Sequence, residues 1–202
     1  MPISDKRLYH NKNSEVDNNF LQGLTGQAMD SEDIAVARFS ELLALERGFS
    51  LAYSKMVRAA ALLHDIGKQK ISDAILSKPG KLSAGEFEIV KSHTAIGAAM
   101  MSGIHGDLGV MVRNTCLFHH EFMNKQGYWG ICADDLPAYI PIISISDTFC
   151  ALIHDRPYKA AWEWDKALQY ISGQAGVQFN PALAGDFISL AKNTKNIRGL
   201  GI

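Results

Sequence analysis

Residues 56–68 read MVRAAALLHDIGK, an apolar run that ends in a histidine and an aspartate, with a lysine one turn later. Residues three and four apart share one face of a helix. Val57, Ala61 and His64 therefore form a stripe, with Asp65 beside it. Nothing in such a stripe is accidental to its chemistry, because a buried charge without a partner costs several kcal/mol.

Working outward, the same pattern recurs. Ile89, His93, Ile96 and Met100 have helical spacing, as do Val112, Cys116 and His119. Ile140, Ile143, Asp147 and Ala151 repeat it, and so do Glu32, Val36, Phe39 and Leu43. One histidine on an apolar face is ordinarily a hydrogen-bonded core residue. Five separate helices each turning a histidine or a carboxylate inward have a cheaper joint solution. The groups converge on metal cations, which neutralise the acids and take the imidazoles as ligands.

The adjacent pairs sharpen the expectation. In His64-Asp65 the carboxylate can bridge two ions while the imidazole binds one. In His119-His120 the side chains point about 100° apart on a helix, so both ligate only near a helix end or a cluster. The donor set mixes nitrogen and oxygen without thiolate, which suits iron, manganese, cobalt or zinc and not a magnesium-only site. Two cations about 3.5–4 Å apart would polarise a phosphoryl group and generate a hydroxide nucleophile near neutral pH.

The surrounding chain reads as all-α. Ser31 caps a helix opening on Glu32 and Asp33 and stopping at Gly48. A second helix follows Ser50. Lys78-Pro79-Gly80-Lys81 is a turn, and Ser83 with Glu86 forms a capping-box pattern opening a third helix to about Met101. A fourth runs from about Asp107 to His120. Residues 134–153 carry Ile140, Ile142, Ile143 and Ile145, which suit a strand. A lone strand would have no partner, so helix is the reading. Asn180-Pro181 caps a last helix with Leu183, Phe187 and Leu190 as its buried stripe. Trp162 and Trp164 are candidates for core or interface.

Residues 1–26 are polar and read as a leader that is loosely ordered or docked by Phe20 and Leu21, leaving 27–202 as one domain. The 202 residues are 47% hydrophobic and 20% charged, with a formal net charge of −1. That balance argues against a DNA- or RNA-polymer binder or a membrane-surface protein, which would show a basic excess. No stretch of about 18 apolar residues suggests a membrane span. Three widely spaced cysteines, Cys116, Cys132 and Cys150, suggest no disulfide framework, and a reduced, cytoplasmic protein is expected.

The motifs together resemble the HD superfamily of phosphohydrolases, and within it the HD-GYP domain. His64-Asp65-Ile66-Gly67-Lys68 is similar to the HDxGK signature. Lys78 to Leu82, then His93-Thr94-Ala95-Ile96-Gly97, resemble the KPGKL and HxxxG segments. His119-His120-Glu121 with Asn124, Gly127 and Tyr128 resembles HHExxDGxGYP. Ser146-Asp147, Arg156-Pro157-Tyr158-Lys159 and Phe179-Asn180-Pro181 resemble the later AD, RPY and FDP segments. The resemblance spans about Glu32 to Leu190.

It implies an all-helical bundle around two divalent cations, three in some members, usually iron or manganese, and hydrolysis of cyclic di-GMP to pGpG or GMP. By resemblance His64, Asp65, His93, His119, His120 and Asp147 are ligands, with Asp65 bridging and acting in catalysis with Lys68. Lys68 would lie near the scissile phosphate, and Tyr128, Arg156 and Lys159 would hold the substrate.

The chain departs from the pattern at several places. Glu32 stands where the family has its first histidine, so it either ligates as a carboxylate or is an ordinary solvated acid, with Asp30 and Asp33 as fallbacks. The GYP triplet reads Gly127-Tyr128-Trp129. Losing proline frees φ and restores an N–H, and Trp129 could stack on a guanine, meet a signalling protein partner, or fill a gap. Lys125 replaces a glycine, and Cys150 an aspartate expected to face the substrate. Glu121 is not expected to ligate. Three functions compete: a cyclic di-GMP phosphodiesterase; a degenerate domain that binds a nucleotide or a partner protein without turnover; and a phosphohydrolase for another cyclic dinucleotide or nucleotide.

Overall fold

In a computed structural model, the chain is described over residues 30–155 and 160–195. Nine α-helices are found there: α1 (Ser31–Glu46), α2 (Leu51–Leu62), α3 (Asp73–Leu76), α4 (Ala84–Lys91), α5 (His93–Met100), α6 (Gly106–Phe118), α7 (Tyr139–Ile153), α8 (Trp164–Gly173) and α9 (Pro181–Thr194). Short 3-10 turns occur at Ile66–Lys70, Met101–Gly103 and Ala133–Asp135. Among the described residues the only β pairing is an isolated bridge between Ala175 and Phe179. The leader, Arg156 and Lys159 lie outside the described residues.

Local chemistry sets the boundaries. The Ser50 hydroxyl accepts from the Tyr53 N–H and starts α2. Ser83 and Glu86 form the reciprocal capping box at α4. The Asn180 side chain accepts from the Ala182 and Leu183 N–H groups, with Pro181 at the first position of α9. The isoleucine-rich segment is helical, because the sheet partner a strand needs is absent among the described residues.

Two expectations are corrected. The third helix breaks at Ser92 into α4 and α5. The break rotates the second half, so the buried face of α5 is His93, Thr94 and Gly97, while Ile89 is exposed and Ile96 and Met100 are half-buried. In α9 the buried stripe is Leu183, Ala184, Phe187, Ala191 and Thr194, with Leu190 only half-buried.

α1 packs along α2 and α7, while α5 packs on α6 and on the 66–70 turn. At the back of the bundle Phe39, Phe149, Phe187 and Trp164 interlock, with ring centroids 5.5 Å apart for Phe39–Phe149, 5.2 Å for Phe149–Phe187 and 4.9 Å for Phe149–Trp164. Each fully buried phenylalanine contributes roughly 1.5–3 kcal/mol, and edge-on pairing adds to it. Phe149 lies on nearly the opposite side of α7 from Asp147. The aromatic cluster therefore fixes the rotation of α7 that points Asp147 at the other face. No helix among the described residues is long and apolar enough to cross a membrane.

Candidate metal centre

Four elements deliver the centre. His64 and Asp65 follow the end of α2, His93 opens α5, and Asp147 sits inside α7. His119 caps the end of α6 and His120 lies just beyond it. The helix end is what lets two neighbouring histidines face one place. Asp65, His93, His119 and His120 each offer a ligand atom within 4.8 Å of the others, and His64, His119 and Asp147 do the same in a second group.

The hydrogen bonds fix how the imidazoles face. Nδ1 of His64 donates to the Ala61 carbonyl at 2.7 Å, that of His93 to Val90 at 2.6 Å, and that of His119 to Thr115 at 2.8 Å. Each carbonyl is purely an acceptor, so each Nδ1 carries the proton, and a neutral ring then presents an Nε2 lone pair. Those atoms meet oxygen and one another: His93 Nε2 is 3.1 Å from Asp65 Oδ1 and 3.5 Å from His119 Nε2. His64 Nε2 is 3.3 Å from Asp65 Oδ2 and 3.6 Å from Asp147 Oδ1. Asp65 Oδ1 is buried and accepts no hydrogen bond, although His93 is so close.

The charges are divided across the site. Burial would lower His64, but Asp65 and Asp147 outweigh it and hold its pKa well above the ordinary imidazole value. Burial keeps His119 low, and burial with its neighbour His119 keeps His120 lower still. Asp65 overcomes burial through Lys68 and His64 and stays well below the usual carboxylate range, and Asp147 is held low by His64. The neutral rings of His119 and His120 thus bring lone pairs up to an anionic carboxylate, an acceptor-rich arrangement that only a proton or a cation reconciles. The residues fit divalent cations, and the Nδ1–H bonds to backbone carbonyls are the usual supports of ligating histidines.

Around the ligands, Lys68 pairs with Asp65 Oδ2. The Tyr128 ring lies over His120, with centroids 4.5 Å apart, and burial raises its phenol pKa. Glu32 is half-buried in the first turn of α1 and joins neither ligand group. Cys150 is fully buried rather than lining an open face. Burial, and then Asp147, Glu32 and Asp33, push its thiol pKa well up.

Sequence reasoning missed the work of Glu121. It is 1% exposed, and its two oxygens accept the N–H groups of Trp129 at 2.7 Å and Ile131 at 2.6 Å. Gly127 passes so close that a Cβ there would lie 2.5 Å from the Glu121 Cα. The far side of the loop is pinned by Met123 and Asn124 N–H groups donating to the Gln178 and Val177 carbonyls. The one available signal was a buried-type carboxylate beside two candidate ligands and a small residue six positions on.

Comparison with known proteins agrees with this geometry. The HD domain family matches residues 13–183. The chain belongs to the HD domain family. It is 38% identical over 141 residues to the cyclic di-GMP phosphodiesterase response regulator RpfG of Xanthomonas campestris pv. campestris, covering 69% of this chain and 37% of that protein. It is 34% identical over 149 residues to 3'3'-cGAMP-specific phosphodiesterase 2 of Vibrio cholerae, covering 73% and 28%. The HD-domain chain therefore spans well under half the length of these curated relatives. Its fold is similar to that of Bd1817, an HDG"Y"P protein from Bdellovibrio bacteriovorus, with a TM-score of 0.62 at 17% identity over 80% of this chain and 51% of that one.

Proposed function

We propose that this HD domain is a metal-dependent phosphodiesterase that hydrolyses cyclic di-GMP to pGpG or GMP. The observation that carries the reading is the convergence of three Nε2 atoms on the two oxygens of Asp65. His64, Asp65, His93, His119, His120 and Asp147 hold two divalent cations, iron or manganese by donor type. Asp65 faces His93 and His119 with Oδ1 and His64 with Oδ2, so its carboxylate would help to hold both cations. When bound, such cations supply Lewis-acid polarisation of a phosphoryl group and a nucleophile at neutral pH.

The chain's own residues do the rest. The Lys68 ammonium pairs with Asp65 Oδ2 and stays partly exposed, which supports a role in pairing with a phosphate oxygen. Tyr128 roofs His120. Arg156 and Lys159, from the RPY-like segment, are proposed to hold the substrate, and Glu32 to complete the donor set from α1. Reduced cytoplasm suits ferrous iron, and the Trp129 loop offers a surface to a signalling partner.

Purified protein loaded with Fe(II) or Mn(II) is expected to convert cyclic di-GMP to pGpG, and Asp65→Ala to abolish this. A full metal complement without turnover would overturn the reading. A second reading, 3'3'-cGAMP as substrate, is favoured by the relatives named for it, which are 32–36% identical. The same assay run with both dinucleotides decides between them.

A further inference from the structure

The ligand cluster continues outward as a line of rings. His119 and His120 are 4.0 Å apart, His120 and Tyr128 4.5 Å, and Tyr128 meets Phe87 at 5.8 Å with the planes 85° apart. Phe87 is 44% exposed, and no other ring among the described residues packs on it. A single exposed phenylalanine is unremarkable on most surfaces. This one ends an aromatic path that starts at the proposed ligands.

Phe87 also sits on a rigid support. It follows Glu86, whose carboxylate takes both the Ser83 N–H at 2.7 Å and the Lys78 ammonium at 2.7 and 2.8 Å. The start of α4 is thereby fixed to the KPGKL-like turn. One helical turn beyond Phe87, Lys91 places its ammonium 5.7 Å from the Tyr128 centroid. Its ion pair with the exposed Glu88, at 3.9 Å, is weak competition.

We infer that Phe87 and Lys91 on α4, with Tyr128, form an outer subsite that stacks a purine base of a cyclic dinucleotide and meets its second phosphate. The inference rests on the phosphodiesterase reading. A cyclic dinucleotide with one phosphate at the ligand cluster has its second phosphate and bases left to place. An open aromatic ring with a lysine one turn away matches that chemistry: stacking accepts any base, and the ammonium screens the second charge. A pre-positioned wall loses little entropy when it binds. The subsite makes the chain prefer dinucleotides to small diesters.

The test is steady-state kinetics of the metal-loaded protein with cyclic di-GMP, 3'3'-cGAMP and methyl p-nitrophenyl phosphate, the last too small to span to Phe87. Phe87→Ala is expected to raise KM for the preferred dinucleotide, lowering the dinucleotide-to-small-diester ratio of kcat/KM about fivefold to a hundredfold. Phe87→Trp should restore the ratio, which a purely structural role would not predict. Lys91→Gln should lower the ratio less and flatten its salt dependence. An unchanged ratio in Phe87→Ala, with wild-type protein turning over dinucleotide, overturns the subsite and leaves the phosphodiesterase reading standing. Turnover of the small diester with neither dinucleotide accepted overturns the substrate reading, and the subsite falls with it.

Discussion

The Trp129 N–H donates to Glu121 Oε1 at 2.7 Å, a hydrogen bond that the proline of a GYP triplet has no hydrogen to make. The substitution that looks like damage in the sequence gives the buried carboxylate a second donor. Glu121 in turn holds the loop that lays Tyr128 on His120. Glu121→Ala leaves two part-buried N–H groups without their acceptor, at a cost of about 3 kcal/mol for the pair. For a chain of this size that lowers the melting temperature by roughly 6–12 °C and should expose Lys125 to trypsin. Trp129→Pro, which removes one donor, should show a smaller shift. Unaltered melting and trypsin resistance in Glu121→Ala would sink the clasp.

Lys125 holds φ at 63°, the left-handed region, where the resembling family carries glycine. A side chain there costs about 1 kcal/mol or slightly more. Lys125→Gly should therefore stabilise the protein, raising the melting temperature by roughly 2–4 °C. A fall on calorimetry would mean that the Lys125 side chain contributes more than its backbone strain costs.

Removing a ligand should act on metal before it acts on fold. Partners that merely orient ligands change metal affinity by about 10- to 100-fold, so Asp65→Ala should weaken binding by at least about a hundredfold. Elemental analysis of the purified variant checks this. Chelation of the wild type should lower its melting temperature, because cations present at about a hundred times their dissociation constant add roughly 2.7 kcal/mol to stability. Identical melting with and without chelator would argue against cations in the cluster.

Most of the fold, and of the cluster of residues it gathers into the candidate centre, was legible because both obey one periodicity. His64 and His119 sit in stripes with Val57, Ala61, Val112 and Cys116, all buried in the fold. His93 was legible for the wrong neighbours. The break at Ser92 exposes Ile89, and a short-range spacing rule cannot register a one-residue interruption between two helices. Glu121 escaped because its partners are backbone N–H groups eight and ten residues on. α8 escaped because its buried face is small, with Ala167, Leu168 and Ile171 inside.

The capping box should be visible in acid. Hydrogen bonds from Lys78, then from the Ser83 backbone, hold Glu86 down from 4.5 to about 2. A depressed folded value contributes stability above the unfolded pKa and loses it as pH falls through the folded one. Wild-type stability should therefore drop between pH 4.5 and about 2 in part through this group, and Glu86→Gln should show a shallower fall. Urea midpoints measured across that window test it, and parallel pH profiles would exclude the role.

Gly67 ties the proposed metal ligands to the packing. A Cβ there would lie 1.9 Å from the His93 carbonyl oxygen and 2.6 Å from the Gly97 nitrogen, backbone atoms that cannot swing aside. Gly67→Ala must push the 66–70 turn off α5, and that movement separates Asp65 from His93, whose facing atoms are 3.1 Å apart. Overpacking of a tight contact costs typically about 1–3 kcal/mol, and a clash with backbone belongs at or beyond the upper end. Metal affinity should fall with it. Gly85→Ala is the matched control: nothing lies within 4 Å of a Cβ there, and alanine is favoured over glycine in a helix by about 1 kcal/mol. The two variants should move the melting temperature in opposite directions, and only Gly67→Ala should lose metal. Equal melting temperatures for the two would show that α5 and the turn are not in the contact described.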